Sequence, residues 1–290
     1  MDFFSKKDLV ALWHEHGFRA KKAYGQNFLV DRNVRDKMIS FIGPARGDRI
    51  LEIGPGFGEM TIALAARSAH VTAVEIDARI VKALAGGVFR GIENITVVRA
   101  DFMKHNIGPC VTKIVGNLPY YATTPILEKI FSAGQVPAKE TFVMVQREYG
   151  ERILAGPGDE DYSALSCFVQ SRARAEKLMT VKRTCFFPAP AVDSVFLRLI
   201  RFGRILPEVK DEELFSRVIR QAFGQRRKTV LNSLSGAHAG LGPKALISDA
   251  LETAGVPHNA RPENLSLVEF ARISDALTGM DTRGGQGGVT

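Results

Sequence analysis

A chain of 290 residues has room for about two domains, and with 45% hydrophobic and 24% charged residues it is neither a disordered chain nor a small disulfide scaffold. Lys and Arg number 39 against 31 Asp and Glu, so the net charge is +8, which points to an anionic partner: nucleic acid first, a membrane surface second. Cys110, Cys167 and Cys185 form no CxxC pair, and His14 and His16 lie on different faces of any helix, so neither a disulfide framework nor a metal site is expected.

Residues 1–24 read as a basic extension, with pairs at Lys6/Lys7 and Lys21/Lys22. Asp31 can cap a helix whose Val34, Met38 and Ile42 share one face. Strands and helices then alternate. Strands are predicted over Arg49–Ile53, Val71–Ile76, Ile95–Val98, Lys113–Gly116 and Thr141–Val145. Helices are predicted over Glu59–Arg67, Ala78–Ala85, Thr124–Phe131 and from the last strand to Leu154. Such alternation means a parallel sheet covered by helices on both faces.

After Gly156-Pro157-Gly158 two β-rich runs, Ala164–Gln170 and Ser194–Arg201, suggest an antiparallel pair at the sheet edge. A linker follows at Gly203–Pro207. Beyond it Phe215, Ile219 and Phe223, then Leu246, Ala250 and Ala254, recur at helical spacing. The expected domains are a sheet domain over 25–203 and a small helical domain over 204–278, with a disordered Gly-rich tail over 279–290. No apolar run is long enough to span a bilayer, and Met1–Phe28 lacks a signal-peptide stretch. A cytoplasmic protein without a membrane partner is expected.

Glu52-Ile53-Gly54-Pro55-Gly56-Phe57-Gly58 joins the first strand to a helix, and its glycines let a ligand approach the backbone. Glu75 ends the next strand, 19 residues after Gly56, where a carboxylate can accept both ribose hydroxyls of a nucleoside cofactor. Asp101 closes the third strand, where it can accept from the exocyclic amine of an adenine; taken singly it reads first as a cap or turn residue, and only together with Glu75 and the glycine loop as a cofactor contact. The spacing is GxGxG. That departs from the nicotinamide fingerprint GxGxxG and from the P-loop. A carboxylate before the loop, Glu52, suits a cationic sulfonium and ammonium better than a pyrophosphate. S-adenosylmethionine fits these features, with no metal.

Asn117-Leu118-Pro119-Tyr120 follows the fourth strand and resembles the (Asn/Asp)-Pro-Pro-(Tyr/Phe) signature of methyltransferases acting on exocyclic nucleobase amines. The Asn117 side-chain oxygen and the Leu118 carbonyl can both accept from such an amine, turning its lone pair toward the methyl donor. Tyr120 can stack on the base. Flipping a base costs a few kcal/mol, and one stack returns about 1–3 kcal/mol. A second ring is therefore expected, from Phe186 or Phe187; Tyr121 is expected to pack in the core.

From about Lys21 to Ala276 the chain resembles the ribosomal small-subunit RNA adenine dimethyltransferases. The resemblance is carried by Gly25–Leu29, Glu52–Gly58, Asn117–Tyr120, Gln146-Arg147-Glu148, Phe186–Ser194 and Ala222–Lys228. It implies an α/β fold, a Rossmann-like class I S-adenosylmethionine-dependent methyltransferase sheet with a small C-terminal all-helical domain. It implies two methyl groups on N6 of each of two adjacent adenosines near the 3′ end of 16S rRNA, added late in small-subunit assembly by a monomer. Asn27, Leu29, Gly54, Glu75, Asp101 and Asn117 match the family's cofactor contacts, Gly56 lying in the same loop. Leu118 and Tyr120 match its acceptor loop and Phe186 its stacking ring. The long N-terminal extension, the Gly-rich tail and Phe187, where a smaller residue is usual, depart from the pattern.

Arg226, Arg227 and Lys228 open a helix in the second domain, and three cations there oppose the helix dipole. A phosphate partner would repay that; a solvated charge run is the plainer explanation. Arg147 could extend the same RNA grip, with Arg152, Lys21 and Lys22. The related type that methylates adenine in 23S rRNA, a non-catalytic assembly factor and a nicotinamide dehydrogenase are the rival readings. The segment around Arg226–Lys228, the intact Asn117–Tyr120 and the GxGxG spacing argue against them in turn.

Overall fold

In the computed structural model, which describes residues 6–15, 26–119, 121–132, 136–225, 227–236 and 240–284, the basic extension already holds a helix, α1 (Lys6–Glu15), whose Leu9 is buried. Next come β1 (Phe28–Leu29), α2 (Arg32–Ile42), β2 (Arg49–Ile53), α3 (Glu59–Ala65), β3 (His70–Glu75), α4 (Ala78–Ala83), β4 (Ile95–Arg99), β5 (Lys113–Asn117) and α5 (Thr123–Ser132). Then follow β6 (Glu140–Gln146), α6 (Arg147–Leu154), α7 (Ala164–Gln170), β7 (Ala173–Val181), β8 (Phe186–Phe187) and β9 (Ser194–Arg201). The chain closes with α8 (Glu212–Phe223), α9 (Val230–Leu234), α10 (Lys244–Ala254) and α11 (Leu267–Gly284).

Local chemistry explains the ends. The Asp31 side chain accepts from Val34 N–H at 3.0 Å and starts α2, and Gly43, at φ 52°, ends it. The Met38, Ile39 and Ile42 stripe of α2 packs with Ile50, Val71, Val115 and Phe142 of the strands, which become its partner face.

The large sheet has the order β4-β3-β2-β5-β6-β9-β7. Strands β4, β3, β2, β5 and β6 run parallel, and β9 pairs antiparallel with β6. The chain leaves β2 toward β3 on one side and returns to β5 on the other, so a switch point lies at their carboxyl ends. A second, two-stranded sheet pairs β1 with β8, Phe28 opposite Phe187 and Leu29 opposite Phe186.

Contacts divide the chain into residues 1–150 with 175–201, and 151–174 with 202–290. The expected boundary differs from this division: residues 151–172 lie outside the sheet, whose edge strand begins at Ala173. Tyr162 and Cys167 pack with Phe215, Ile219, Leu251 and Phe270 in the helical unit's core, where the Cys167 thiol donates to Tyr162 Oη at 3.0 Å. Ala164–Gln170 is a helix and not a strand. The Ser163 N–H donates to Ser166 Oγ at 3.0 Å, an N-terminal cap that its apolar composition obscures. The edge strand beside β9 is Ala173–Val181 instead. The expected tail is also shortened, because α11 continues to Gly284 on the buried stripe Phe270, Ile273 and Leu277. Residues 285–290 lie outside the described residues. Among the described residues no helix is long and apolar enough to cross a membrane.

Candidate active site

Parallel register brings the expected residues to one edge. Ile53 lies level with Val74 on one side and Gly116 on the other, so Gly54, Glu75 and Asn117 emerge together; Asp101 follows from β4 two residues after Arg99, which is level with Glu75. They line one cavity of about 490 Å³, together with Asn27 and Leu29. Gly56 lines it too, at φ 56°, and a Cβ there would come within 2.8 Å of Phe28 Cδ1. Over Gly54, at φ 67°, the nearest atom to such a Cβ is Asn117 O at 3.9 Å, so a ligand can lie against its backbone.

Glu75, Glu52 and Asp101 are among the carboxylates that line this space. Glu75 Oε1 accepts from Asp77 N–H at 2.8 Å, and burial raises its pKa to about 7, with the Asp77 charge adding to the effect. Glu52 is only 3% exposed and its Oε2 has no hydrogen-bond partner. Burial raises its pKa to about 7 as well, the Thr61 hydroxyl opposing and the Glu75 charge adding. Asp101 caps a short turn, accepting from Met103 N–H at 2.9 Å through Oδ1. It is thus both a cap and part of the cavity wall. Its other oxygen makes none of that capping bond, which leaves it an acceptor. A ribose diol, an adenine amine and a cationic centre fit these groups, and the volume holds a nucleoside with an amino-acid tail.

The acceptor loop is tightly fastened. Asn117 Nδ2 donates to Asn27 O at 3.1 Å, which fixes the amide and leaves Oδ1 to accept. The Leu118 N–H donates to Met144 O at 3.0 Å, and its side chain is buried. Pro119 O takes the Ala122 N–H at 3.0 Å and the Thr123 hydroxyl at 3.1 Å. Tyr120 lies outside the described residues. Tyr121 does not pack in the core as expected: it is 62% exposed and lines the cavity, because the turn after Pro119 carries it outward.

Phe186 is not brought to the cavity wall. It is 4% exposed and packs among Met38, Ile39 and Phe196, held there by the pairing of β8 with β1. Phe187 packs on Trp13, ring centroids 5.1 Å apart. Arg147, at the start of α6, is exposed. Arg227 and Lys228 are exposed in a turn, not in a helix: Thr229 caps α9 after them. Arg226 lies outside the described residues. Sequence reasoning missed Ile76 and Met103, apolar side chains that stay exposed on the cavity wall beside Glu75 and Asp101. For Ile76 the available signal was an apolar residue directly after the strand-end carboxylate Glu75; Met103, two residues beyond Asp101, carried no such signal.

The model of the ribosomal RNA adenine dimethylase family matches residues 17–278. A ribosomal RNA small subunit methyltransferase A from Shouchella clausii is 41% identical over 276 residues, 92% of this chain and 93% of its own. The protein of the same name from Streptococcus gordonii is 40% identical over 278 residues, 92% and 95% of the two chains. Among solved structures, a dimethyladenosine transferase from Plasmodium falciparum superposes with a TM-score of 0.76 at 25% identity, over 89% of this chain and 98% of that one. The 23S rRNA methyltransferase ErmE superposes at 0.65 and 28% identity, over 87% and 100%.

Proposed function

Because the chain belongs to the ribosomal RNA adenine dimethylase family, and is therefore an S-adenosylmethionine-dependent rRNA adenine dimethyltransferase, we propose that it dimethylates N6 of two adjacent adenosines near the 3′ end of 16S rRNA. It does so as a cytoplasmic monomer late in small-subunit assembly. The observation that carries this reading is the Asn117 amide, held by Asn27 O at the mouth of a cavity that Glu75 and Asp101 also line.

S-adenosylmethionine, when bound, supplies an electrophilic methyl on a sulfonium. Glu75 takes the ribose hydroxyls, Asp101 the adenine amine, and Gly54 and Gly56 the close backbone approach, with Asn27 and Leu29 closing the other wall. Glu52, buried with an unpartnered oxygen, supplies negative charge for the cationic end. The target N6 is a poor nucleophile because its lone pair is delocalised into the ring. Asn117 Oδ1 and the Leu118 carbonyl accept its two N–H groups, so the nitrogen pyramidalises and its lone pair points at the methyl. After transfer the nitrogen is acidic and releases a proton to water. One N–H then remains, enough for one acceptor to orient the second methylation. Tyr120 stacks on the flipped base. Arg147, Arg226, Arg227 and Lys228 grip RNA phosphates.

The test is methyl transfer from labelled S-adenosylmethionine to unmodified small and large ribosomal subunits in parallel, with nucleoside mass spectrometry. Dimethyladenosine in the small subunit alone is expected. Asn117→Ala is expected to lower the rate by about a hundredfold while the particle still binds. Label in the large subunit would move the chain to the 23S type, and an unchanged rate for Asn117→Ala would remove the acceptor role.

A further inference from the structure

Lys129, on α5, takes no part in the chemistry above, yet its ammonium is wholly committed to one loop of the cavity. It donates to the backbone carbonyls of Phe102 at 2.6 Å, Met103 at 2.8 Å and His105 at 2.6 Å. Three donors are all an ammonium has. The same cation lies 5.1 Å over the Phe102 ring. The loop it grips is the turn Phe102–Lys104 that Asp101 caps: Met103 N–H donates to Asp101 Oδ1 at 2.9 Å and Lys104 N–H to Asp101 O at 2.9 Å.

A three-residue turn on the surface needs only its cap, and water can satisfy its carbonyls. Here the half-buried Lys129 ammonium supplies donors to those carbonyls in place of water. Burial lowers the pKa of Lys129, and the Asp101 charge opposes the shift. The gain from such an arrangement is rigidity at Asp101 and Met103, both of which line the cavity. A carboxylate separates an amine from a carbonyl only if it cannot swing away: it accepts from the N–H donor and repels the oxygen acceptor.

We propose that Lys129 is a positioning residue that holds Asp101 against the exocyclic amine of the cofactor's adenine, and so makes the enzyme discriminate adenine from hypoxanthine. The proposal rests on the reading of Asp101 as the adenine acceptor.

The experiment is calorimetric titration of S-adenosylhomocysteine and its deaminated analogue S-inosylhomocysteine into the wild type, Lys129→Met, Lys129→Arg and Asp101→Asn, with thermal unfolding of each ligand-free protein. The wild type is expected to prefer the adenine form by more than about tenfold. Lys129→Met is expected to narrow that preference about tenfold by weakening the adenine form alone, and to raise KM for S-adenosylmethionine with kcat nearly unchanged. Lys129→Arg keeps the charge but offers a planar fork, and carries the test if Lys129→Met does not fold; it is expected to narrow the preference about threefold. If Asp101→Asn erases the preference while the Lys129 variants keep it, or weaken both nucleosides equally, the positioning role is wrong. If Asp101→Asn itself leaves the preference intact, the reading of Asp101 fails first, and the role of Lys129 with it.

Discussion

Glu52 shows what a binding site costs the protein that holds it. Its carboxyl is enclosed, one oxygen has no partner, and its pKa is raised from 4.5 to about 7. A raised carboxyl pKa favours the folded state only while the group is protonated. The advantage is complete below the unfolded value of 4.5 and is lost as pH rises through about 7. Urea unfolding of the cofactor-free protein at pH 5 and pH 8 is therefore expected to differ between wild type and Glu52→Gln. The wild type loses about 3 kcal/mol relative to the variant across that window. The same variant is expected to bind S-adenosylmethionine more weakly at pH 8, where the wild type presents a charge. An identical pH dependence in the two proteins would show that Glu52 titrates normally. Other residues divide by how local their role is. The place of Glu75 and Asp101 at strand ends was readable from spacing. The exposure of Tyr121 and the burial of Phe186 were not, since each depends on which surface meets the side chain.

Helix α7 is the element that composition misrepresents. Ala164–Gln170 is short and apolar, and Val169 and Phe168 favour a strand as readily as a helix. Ser166 decides the matter: fully buried, it accepts from Ser163 N–H at 3.0 Å and donates to Arg152 O at 2.5 Å. Ser166→Ala is expected to destabilise the protein by about 1–2 kcal/mol through loss of the cap and of a buried carbonyl's partner, read as a lower denaturation midpoint. A change of a few tenths would mean the helix is held by its apolar packing instead. By contrast the start and the buried face of α2 were legible, because Asp31 and the stripe of Val34, Met38 and Ile42 are local signals; its end at Gly43 came from the structure.

At the scale of the whole molecule the net charge of +8 is the clearest indication of a polyanionic partner. Arg227 and Lys228 sit exposed just before α9, and Arg147 is exposed at the start of α6. Replacing Arg227 and Lys228 together by Gln is expected to weaken binding to small subunits and to flatten the plot of log affinity against log salt by up to about two, with cofactor affinity unchanged. An unaltered slope would make the pair an ordinary solvated turn.

The amino-acid sequence alone determined the alternation of strands and helices, the glycine turn, the carboxylates at strand ends and the Asn117 loop. Each of these follows from side chains acting on their own backbone or on neighbours a few residues away. The tertiary structure decided what depends on distant partners. Residues 151–174 join the helical unit because Tyr162 and Cys167 fit its core. Phe186 is buried because β8 finds β1. Lys129 grips the loop after Asp101 because α5 packs beside it. No periodicity encodes these choices, since a side chain's partner across the fold is set by which surfaces bury together.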